Sequence, residues 1–414
     1  MTVSTKSAGP MKAWAGSPDV AVVGLGALGA ACLYQLAKAG VKAVGLDRHR
    51  PPHDLGSSHG ETRITRCGIG EGAVYAPLAI RAQSIWRELE DATGERLMLS
   101  CGVLTLGPQD GRGTMHEKSD FVRRAAEVAG RFAIRHETLT SAEIAQRWPA
   151  FQLRGDEIGY WEPGAGALFP ERCIAAQLSE ARRLGARIEL DSEVIEIAAE
   201  GGGEGVVVRT AAGVVRAGRA IVAAGAWTPR LMGGWAGRLA IQPQAQHWFE
   251  VGEPAAFTPE RFPVFIWLHG ETQEGGFYGF PIIPGTATQA VKVATEHQRI
   301  IASPDVRGGI DPASEAQGVW RAHVQGRLRG VGPRAVKSAG CLYTTSPDSD
   351  FVIGDLDGAR QVIVASACSG HGFKHSAALG ELLATRVRGD PVALPAAFDA
   401  ARFRPSDGLK SKGG

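Results

Sequence analysis

Two groups of residues in this 414-residue chain have types and spacings that could do chemistry. The first is Gly24-x-Gly26-x-x-Gly29, set between the apolar run Val20 to Val23 and the helical pattern Ala27 to Lys38, with Asp47 closing the next apolar run, Ala43 to Leu46. Small residues there let the backbone turn sharply and approach a pyrophosphate, and a helix start offers unpaired N–H groups to it. An acid ending the second strand can accept from ribose hydroxyls, which favours FAD or NAD over NADP and leaves the choice between those two open. The second group is basic. Arg63 and Arg66 follow Gly56-Ser57-Ser58-His59-Gly60-Glu61-Thr62, and Lys374 follows Ser369-Gly370-His371-Gly372-Phe373. Guanidinium groups three residues apart repel one another unless an anion lies between them, and a substrate carboxylate is the natural anion. A solvated basic loop is the alternative reading of the arginines, and an exposed helix lysine that of Lys374.

These side chains need elements to hold them. The pattern of strand, glycine turn, helix, Gly40 stop and second strand is a βαβ unit. Helical spacing recurs over 74–92, 119–130 and 141–147, and Ala186 to Leu190, Glu193 to Ala198, Val206 to Arg209, Val214 to Arg216 and Ala220 to Ala224 read as strands. Residues 235–300 alternate in the manner of an antiparallel sheet with one covered face, and a strand at Gln361 to Ser366 precedes the Gly370-x-Gly372 turn and a helix from about Phe373 to Arg388. A helix N-terminus at that turn would favour negative charge in the same cavity.

Composition sets limits. A formal net charge of +2, with acids and bases mixed, argues against a nucleic-acid partner bound through its phosphates. The six cysteines have no CxxC spacing, which speaks against a zinc site or a disulfide framework and for reduced thiols in the cytoplasm. No apolar run reaches the length of a membrane span, and the first 17 residues lack the apolar core of a secretion signal.

Four segments together resemble the monomeric sarcosine oxidase and N-methyltryptophan oxidase family, within the D-amino-acid-oxidase-like superfamily. They are the stretch from Gly56 to Arg66, Ala223-Ala224-Gly225-Ala226-Trp227, Cys341-Leu342-Tyr343-Thr344 and Ser369 to Lys374, and the likeness runs from about residue 19 to 390. The resemblance implies FAD, with Ala223 to Trp227 as its second contact turn and Cys341 as a covalent attachment point. It implies cofactor contacts from Gly24, Gly26, Ala27, Leu28, Gly29, Asp47, Arg48, Ser57, Ser58, Thr62, Arg63, Val194, Ala224, Gly225, Trp227, Cys341, Gly370, His371, Gly372, Phe373 and Lys374. It also implies that His59, Arg63 and Arg66 stand at the flavin ring and substrate, with Arg66 and Lys374 on the substrate carboxylate, Tyr278 and Tyr343 lining the pocket, and Lys292 serving the reaction with oxygen.

The activity implied is oxidation of the C–N bond of a small N-methyl or cyclic amino acid to an imine, with O2 reduced to H2O2, by a cytoplasmic monomer. The alternatives are an oxidase of a cyclic imino acid or biosynthetic intermediate, a dehydrogenase passing electrons to a quinone or protein carrier, and a non-catalytic flavin-binding protein. The fold implied is α/β, a Rossmann-like FAD domain from segments 18–105, 165–235 and 335–395, with a sheet-rich substrate domain from 106–164 and 236–334 and flexible ends at 1–17 and 407–414. One departure stands out: where the monomeric sarcosine oxidase has a histidine four residues after the oxygen-site lysine, this chain has Glu296, then His297.

Overall fold

The structure is a computed structural model that describes residues 17–200, 205–270, 275–286, 288–305, 311–356 and 359–403. Apart from residue 17, the ends expected to be flexible, 1–17 and 407–414, lie outside the described residues.

The expected βαβ unit forms at Val20–Val23, Ala27–Lys38 and Ala43–Leu46. It sits centrally in a six-stranded sheet ordered Val352–Leu356, Ala359–Ser366, Arg219–Val222, Val20–Val23, Ala43–Leu46, Arg187–Glu189. Five of these strands run parallel, and Val352–Leu356 joins antiparallel at the edge. Both faces are covered, which is why the strands read as unbroken apolar runs rather than alternating ones. Val20 and Val22 pack with the helices Ala27–Lys38, Ala76–Thr93, Pro170–Arg183 and Ser376–Val387. Ala21 and Val23 pack with an antiparallel sheet of Val194–Ala199, Val206–Thr210 and Gly213–Ala217.

Pro170–Arg183 is the one long helix that the sequence reading leaves unassigned, although its signals are present: Pro at the first position, Glu171 in the first turn, Arg182 and Arg183 in the last. At the other end of the chain, the expected helix from Phe373 begins as a 3-10 turn, Phe373–His375, and becomes α-helical over Ser376–Val387.

The second large sheet has eight strands in the order Val331–Thr345, Ala240–Val251, Ala290–Ala294, Gly276–Phe280, Val264–Leu268, Val103–Pro108, Glu157–Glu162, Glu137–Thr140. Val103–Pro108 and Val331–Thr345 cross the limits 105 and 335 drawn from sequence, because each hydrogen-bonds into this sheet, and a strand's pairing partner leaves no local trace. One face of the sheet builds an aromatic core around Phe249, Phe265, Trp267, Phe277, Val291 and Val293. Strict alternation then places Trp248, Tyr278, Phe280 and Lys292 on the opposite face. No helix among the described residues is long and apolar enough to cross a membrane.

Candidate active site

Between the two sheets runs a cavity of about 500 Å³, within the range of ligand-binding clefts. One end is built by the glycine turn. Gly24 has φ +85°, and a Cβ there would stand 2.6 Å from the Ala223 carbonyl oxygen; a Cβ on Gly29 would lie 1.7 Å from the Gly24 oxygen. Only glycine permits strand, turn and helix to come this close. Asp47 fastens the turn: one carboxylate oxygen accepts from Leu25 N at 2.7 Å and the other from His49 N at 2.8 Å. Arg48 lies over the Trp227 ring at 5.4 Å, and Asp305 ties Arg48, Trp227 and Arg230 together at 3.0, 2.9 and 2.6 Å.

The cavity walls include Gly24, Gly26, Ala27, Leu28, Asp47, Arg48, Ser57, Ser58, Arg63, Arg66, Val194, Ala224, Gly225 and Trp227. They continue with Tyr278, Tyr343 and the turn Gly370, His371, Gly372, Phe373 and Lys374. Gly29, His59, Thr62, Lys292 and Cys341 are absent from its lining. Gly29 is instead the packing glycine under the turn. Thr62 is buried, and its carbonyl accepts from Arg63 Nη1 at 2.8 Å and from Lys292 Nζ at 3.0 Å.

An elongated cavity running from the Asp47 carboxylate and a glycine cradle to a basic far end fits an adenine dinucleotide carrying a redox ring. Gly24 to Asp47, Val194 and Ala224 to Trp227 would hold its nucleotide half, and Ser57, Ser58, Arg63 and Gly370 to Lys374 its ring end.

The far end contains more than was legible in the sequence. Arg66 is buried and already paired: its Nη2 donates to the Glu71 carboxylate at 2.8 and 3.1 Å, and its Nη1 to the Gly68 carbonyl at 2.6 Å. Lys374 Nζ donates to the His371 carbonyl at 2.8 Å and lies 3.8 Å from the same Glu71. His116 connects two acids, with Nδ1 3.3 Å from Glu71, off the line of a hydrogen bond, and Nε2 3.0 Å from Glu296 Oε1. The arrangement is therefore a buried network of alternating sign rather than two free cations waiting for an anion.

The network sets its own protonation. Burial opposes charge on Glu71, but Arg66, Lys374 and His116 outweigh it and hold the carboxyl well below its usual range. Burial likewise opposes the His116 cation, yet Glu296 and Glu71 raise it to about 9. For Lys374, burial wins over Glu71 and lowers the ammonium to about 8.

Neighbouring residues are held largely by neutral groups. Arg63 donates to the carbonyls of Thr62 and Ser57 and, at 3.4 Å, to Gln246 Oε1. Lys292 Nζ donates to the Gly60 carbonyl at 2.6 Å and to both oxygens of Thr62, above the rings of Trp248 and Phe280. Burial, reinforced by Arg63, drives Lys292 well below the ordinary lysine range. The same two causes lower buried His59 to about 4, so it is neutral near pH 7. The Tyr278 and Tyr343 hydroxyls lie 3.3 Å apart, and burial pushes Tyr278 up to about 12. Burial also raises the Cys341 thiol, against the pull of Arg63 and Lys292.

Glu71, His116 and Gln246 are the residues that reading the sequence missed, and Glu296 was noted without a role. An acid five residues beyond Arg66, flanked by Gly70 and Gly72, was the one available signal; nothing local indicated that His116 would reach it.

Comparison with known proteins agrees with this geometry. The family described as "DAO: FAD dependent oxidoreductase" matches residues 19–386. The chain is 34% identical to a monomeric sarcosine oxidase of Bacillus sp. (strain NS-129), over 88% of this chain and 92% of that protein. It is 33% identical to the N-methyl-L-tryptophan oxidase of Salmonella heidelberg (strain SL476), over 94% of this chain and 98% of that one. Among solved structures, the open form of NikD, an amino acid oxidase of nikkomycin biosynthesis, superposes with a TM-score of 0.77 at 24% identity, over 92% of this chain and 96% of that one, a likeness of fold. With the glycine cradle, the ring-end turn and the match over residues 19–386 in agreement, the chain belongs to the DAO family of FAD-dependent oxidoreductases.

Proposed function

We propose that this enzyme oxidises the C–N bond of a small N-methyl or cyclic amino acid to an imine and reduces O2 to H2O2. The observation that carries this reading is the Arg66–Glu71–Lys374 group at the ring end of the cavity: two cations share one protein carboxylate. A substrate carboxylate can enter as the second anion and complete the charge balance, which a neutral or cationic substrate cannot do. The names of the sarcosine and N-methyltryptophan oxidases support a secondary amino acid as the substrate.

FAD, when bound, supplies the two-electron acceptor. The protein's part is to orient and desolvate. Arg66 and Lys374 fix the carboxylate, Tyr278 and Tyr343 wall the pocket, and burial between the sheets excludes water. His59, neutral near pH 7, adds no positive charge beside the amine. Lys292, held against the Gly60 carbonyl and both oxygens of Thr62, is the group that would serve the reaction with O2. Cys341, buried and within the field of Arg63 and Lys292, would anchor the cofactor as a thioether. Six cysteines with no disulfide among the described residues suit a cytoplasmic enzyme, and the monomeric sarcosine oxidase supports a monomer.

Anaerobic mixing with sarcosine, N-methylalanine and proline tests the reaction: bleaching of the flavin band is expected with at least one, and no bleaching with any overturns the substrate class. Lys292→Met should slow reoxidation by air while leaving anaerobic bleaching in place; unchanged reoxidation would point to a carrier instead of O2. Yellow colour that stays with the acid-denatured chain is expected of a Cys341 link and should be lost in Cys341→Ser.

A further inference from the structure

Glu296 and His116 do more than balance the charge network. Together with Tyr343 they line the main cavity and also a second one of about 350 Å³, so these three side chains form the wall between the two. The second cavity is of mixed character: Gln242, His297 and Ser346 offer hydrogen bonds, Arg238 and Glu117 carry charge, and Leu239 and Ile300 are apolar. The wall is pressed onto the ring-end turn: a Cβ on Gly370, whose φ is +79°, would lie 2.8 Å from His116 Nε2, 3.0 Å from Glu296 Oε1 and 3.0 Å from Tyr343 Cε2. A substrate anchored by its carboxylate on Arg66 and Lys374 therefore has, along the same cavity wall, the buried Glu296 carboxylate and a second cavity behind it.

We infer that Glu296, held by His116, is a specificity-determining residue that accepts hydrogen bonds from the substrate's side chain, and that the second cavity receives that side chain. The preferred substrates are secondary amino acids whose side chains carry a neutral donor, a hydroxyl or a carboxamide. Charge argues against the other classes. His116 already gives Glu296 a cationic partner, so a basic side chain would bring a second buried cation beside it, and an acidic one would meet Glu296 directly. An ionised carboxylate accepts hydrogen bonds and donates none, so a donor is the group it recognises. An apolar side chain would leave the wall's polar groups desolvated without new partners.

The inference rests on the amino-acid oxidase reading, and one panel separates the two. Flavin reduction of the holoenzyme is followed anaerobically with sarcosine, N-methylserine, N-methylglutamine, N-methylvaline, N-methylornithine and N-methylaspartate. N-methylserine or N-methylglutamine should exceed N-methylvaline in kcat/KM by roughly tenfold or more, the worth of a hydrogen bond to a charged acceptor. Glu296→Leu should erase this ratio, chiefly through KM, whereas Glu296→Gln, which keeps an acceptor but loses the charge, should lower it to an intermediate value. Flavin absorbance and the thermal midpoint identify a Leu variant that has not folded, and the Gln variant still decides the question in that case. Sarcosine turnover with no preference for hydroxyl or carboxamide side chains overturns the inference and leaves the oxidase reading standing, as does a preference for N-methylornithine that Glu296→Gln removes. Silence with every amine overturns the oxidase reading itself.

Discussion

The two ends of the cavity solve the problem of holding a charged ligand in opposite ways. At the nucleotide end the recognising groups are backbone N–H groups at a turn and helix start, and one acid, Asp47, which also pins the turn through Leu25 and His49. The turn and its acid lie within 24 residues of chain, from Gly24 to Asp47, and Val194 and Ala224 to Trp227 close the cavity around them. At the ring end the groups are full charges on Arg66, Glu71, His116, Glu296 and Lys374, brought together from segments up to about 300 residues apart. Backbone dipoles cost little to bury, because the fold has already oriented them, whereas buried charges are tolerable only as a complete network. The first end should thus be sensitive to shape and the second to charge.

The strongest way to break this contrast is to unbalance the charged end. Arg66→Met leaves Glu71 buried with Lys374 as its remaining strong cation and should cost about 3–5 kcal/mol of stability, read by urea unfolding. Adding Glu71→Leu should restore most of that stability and none of the activity, because stability needs balance and substrate binding needs the arginine. A double variant as unstable as the single would mean that Arg66 acts by packing rather than by charge.

Shape can be attacked at the other end with no change in charge. Gly29→Ala puts a methyl 1.7 Å from the Gly24 oxygen, and the turn must open at a cost of about 3 kcal/mol. Protein purified with normal FAD content would show that the turn tolerates the shift.

Charge at the ring end also sets a pH dependence. His116 is raised from 6.5 to about 9, so its stabilisation is complete below about 6.5 and is lost as pH rises toward 9. Lys374 is lowered from 10.5 to about 8, so its deprotonation favours the folded state as pH rises from 8. The two slopes add to a fall over about pH 6.5–8, a plateau to about 9 and a rise toward 10.5. At one proton per molecule the fall amounts to about 2 kcal/mol. Urea unfolding across this range measures it, and His116→Asn should flatten it; an unchanged slope in the variant would assign the titration elsewhere.

The smallest effect is expected at the carboxylate that pins the glycine turn. Asp47→Asn keeps one acceptor oxygen for the turn and removes the carboxylate that lines the cavity, so FAD affinity should fall about tenfold. In a covalent holoenzyme this is read as the rate of cofactor incorporation into apoprotein. A loss as large as that of Gly29→Ala would erase the distinction between the two ends.

Legibility follows the same division. The strand, turn, helix and acid from Val20 to Asp47 were placed from their pattern to the residue, since their contacts are local and each residue type has a conformational reason. The family motifs identified Arg63, Arg66 and Lys374, and the structure brings all three to one cavity. What the pattern did not show is that Arg66 is already paired, or that Lys292 and Cys341 stand behind the cavity lining. Sheet membership was equally hidden: Val331–Thr345 crosses the limit at 335 drawn from sequence, and only its pairing with Ala240–Val251 assigns it.

The amino-acid sequence by itself determined the glycine turn with its acid, the FAD family and the basic residues Arg63, Arg66 and Lys374 that line the far end of the cavity. Periodicity, glycine positions and short motifs are local properties, and they survive in a list of residues. Tertiary structure alone decided the partners: Glu71 for Arg66, His116 between two acids, Glu296 at the wall of a second cavity. Those contacts join residues separated by 5 to 303 positions, and their energies come from a shared dry interior that does not exist until both sheets have closed on it.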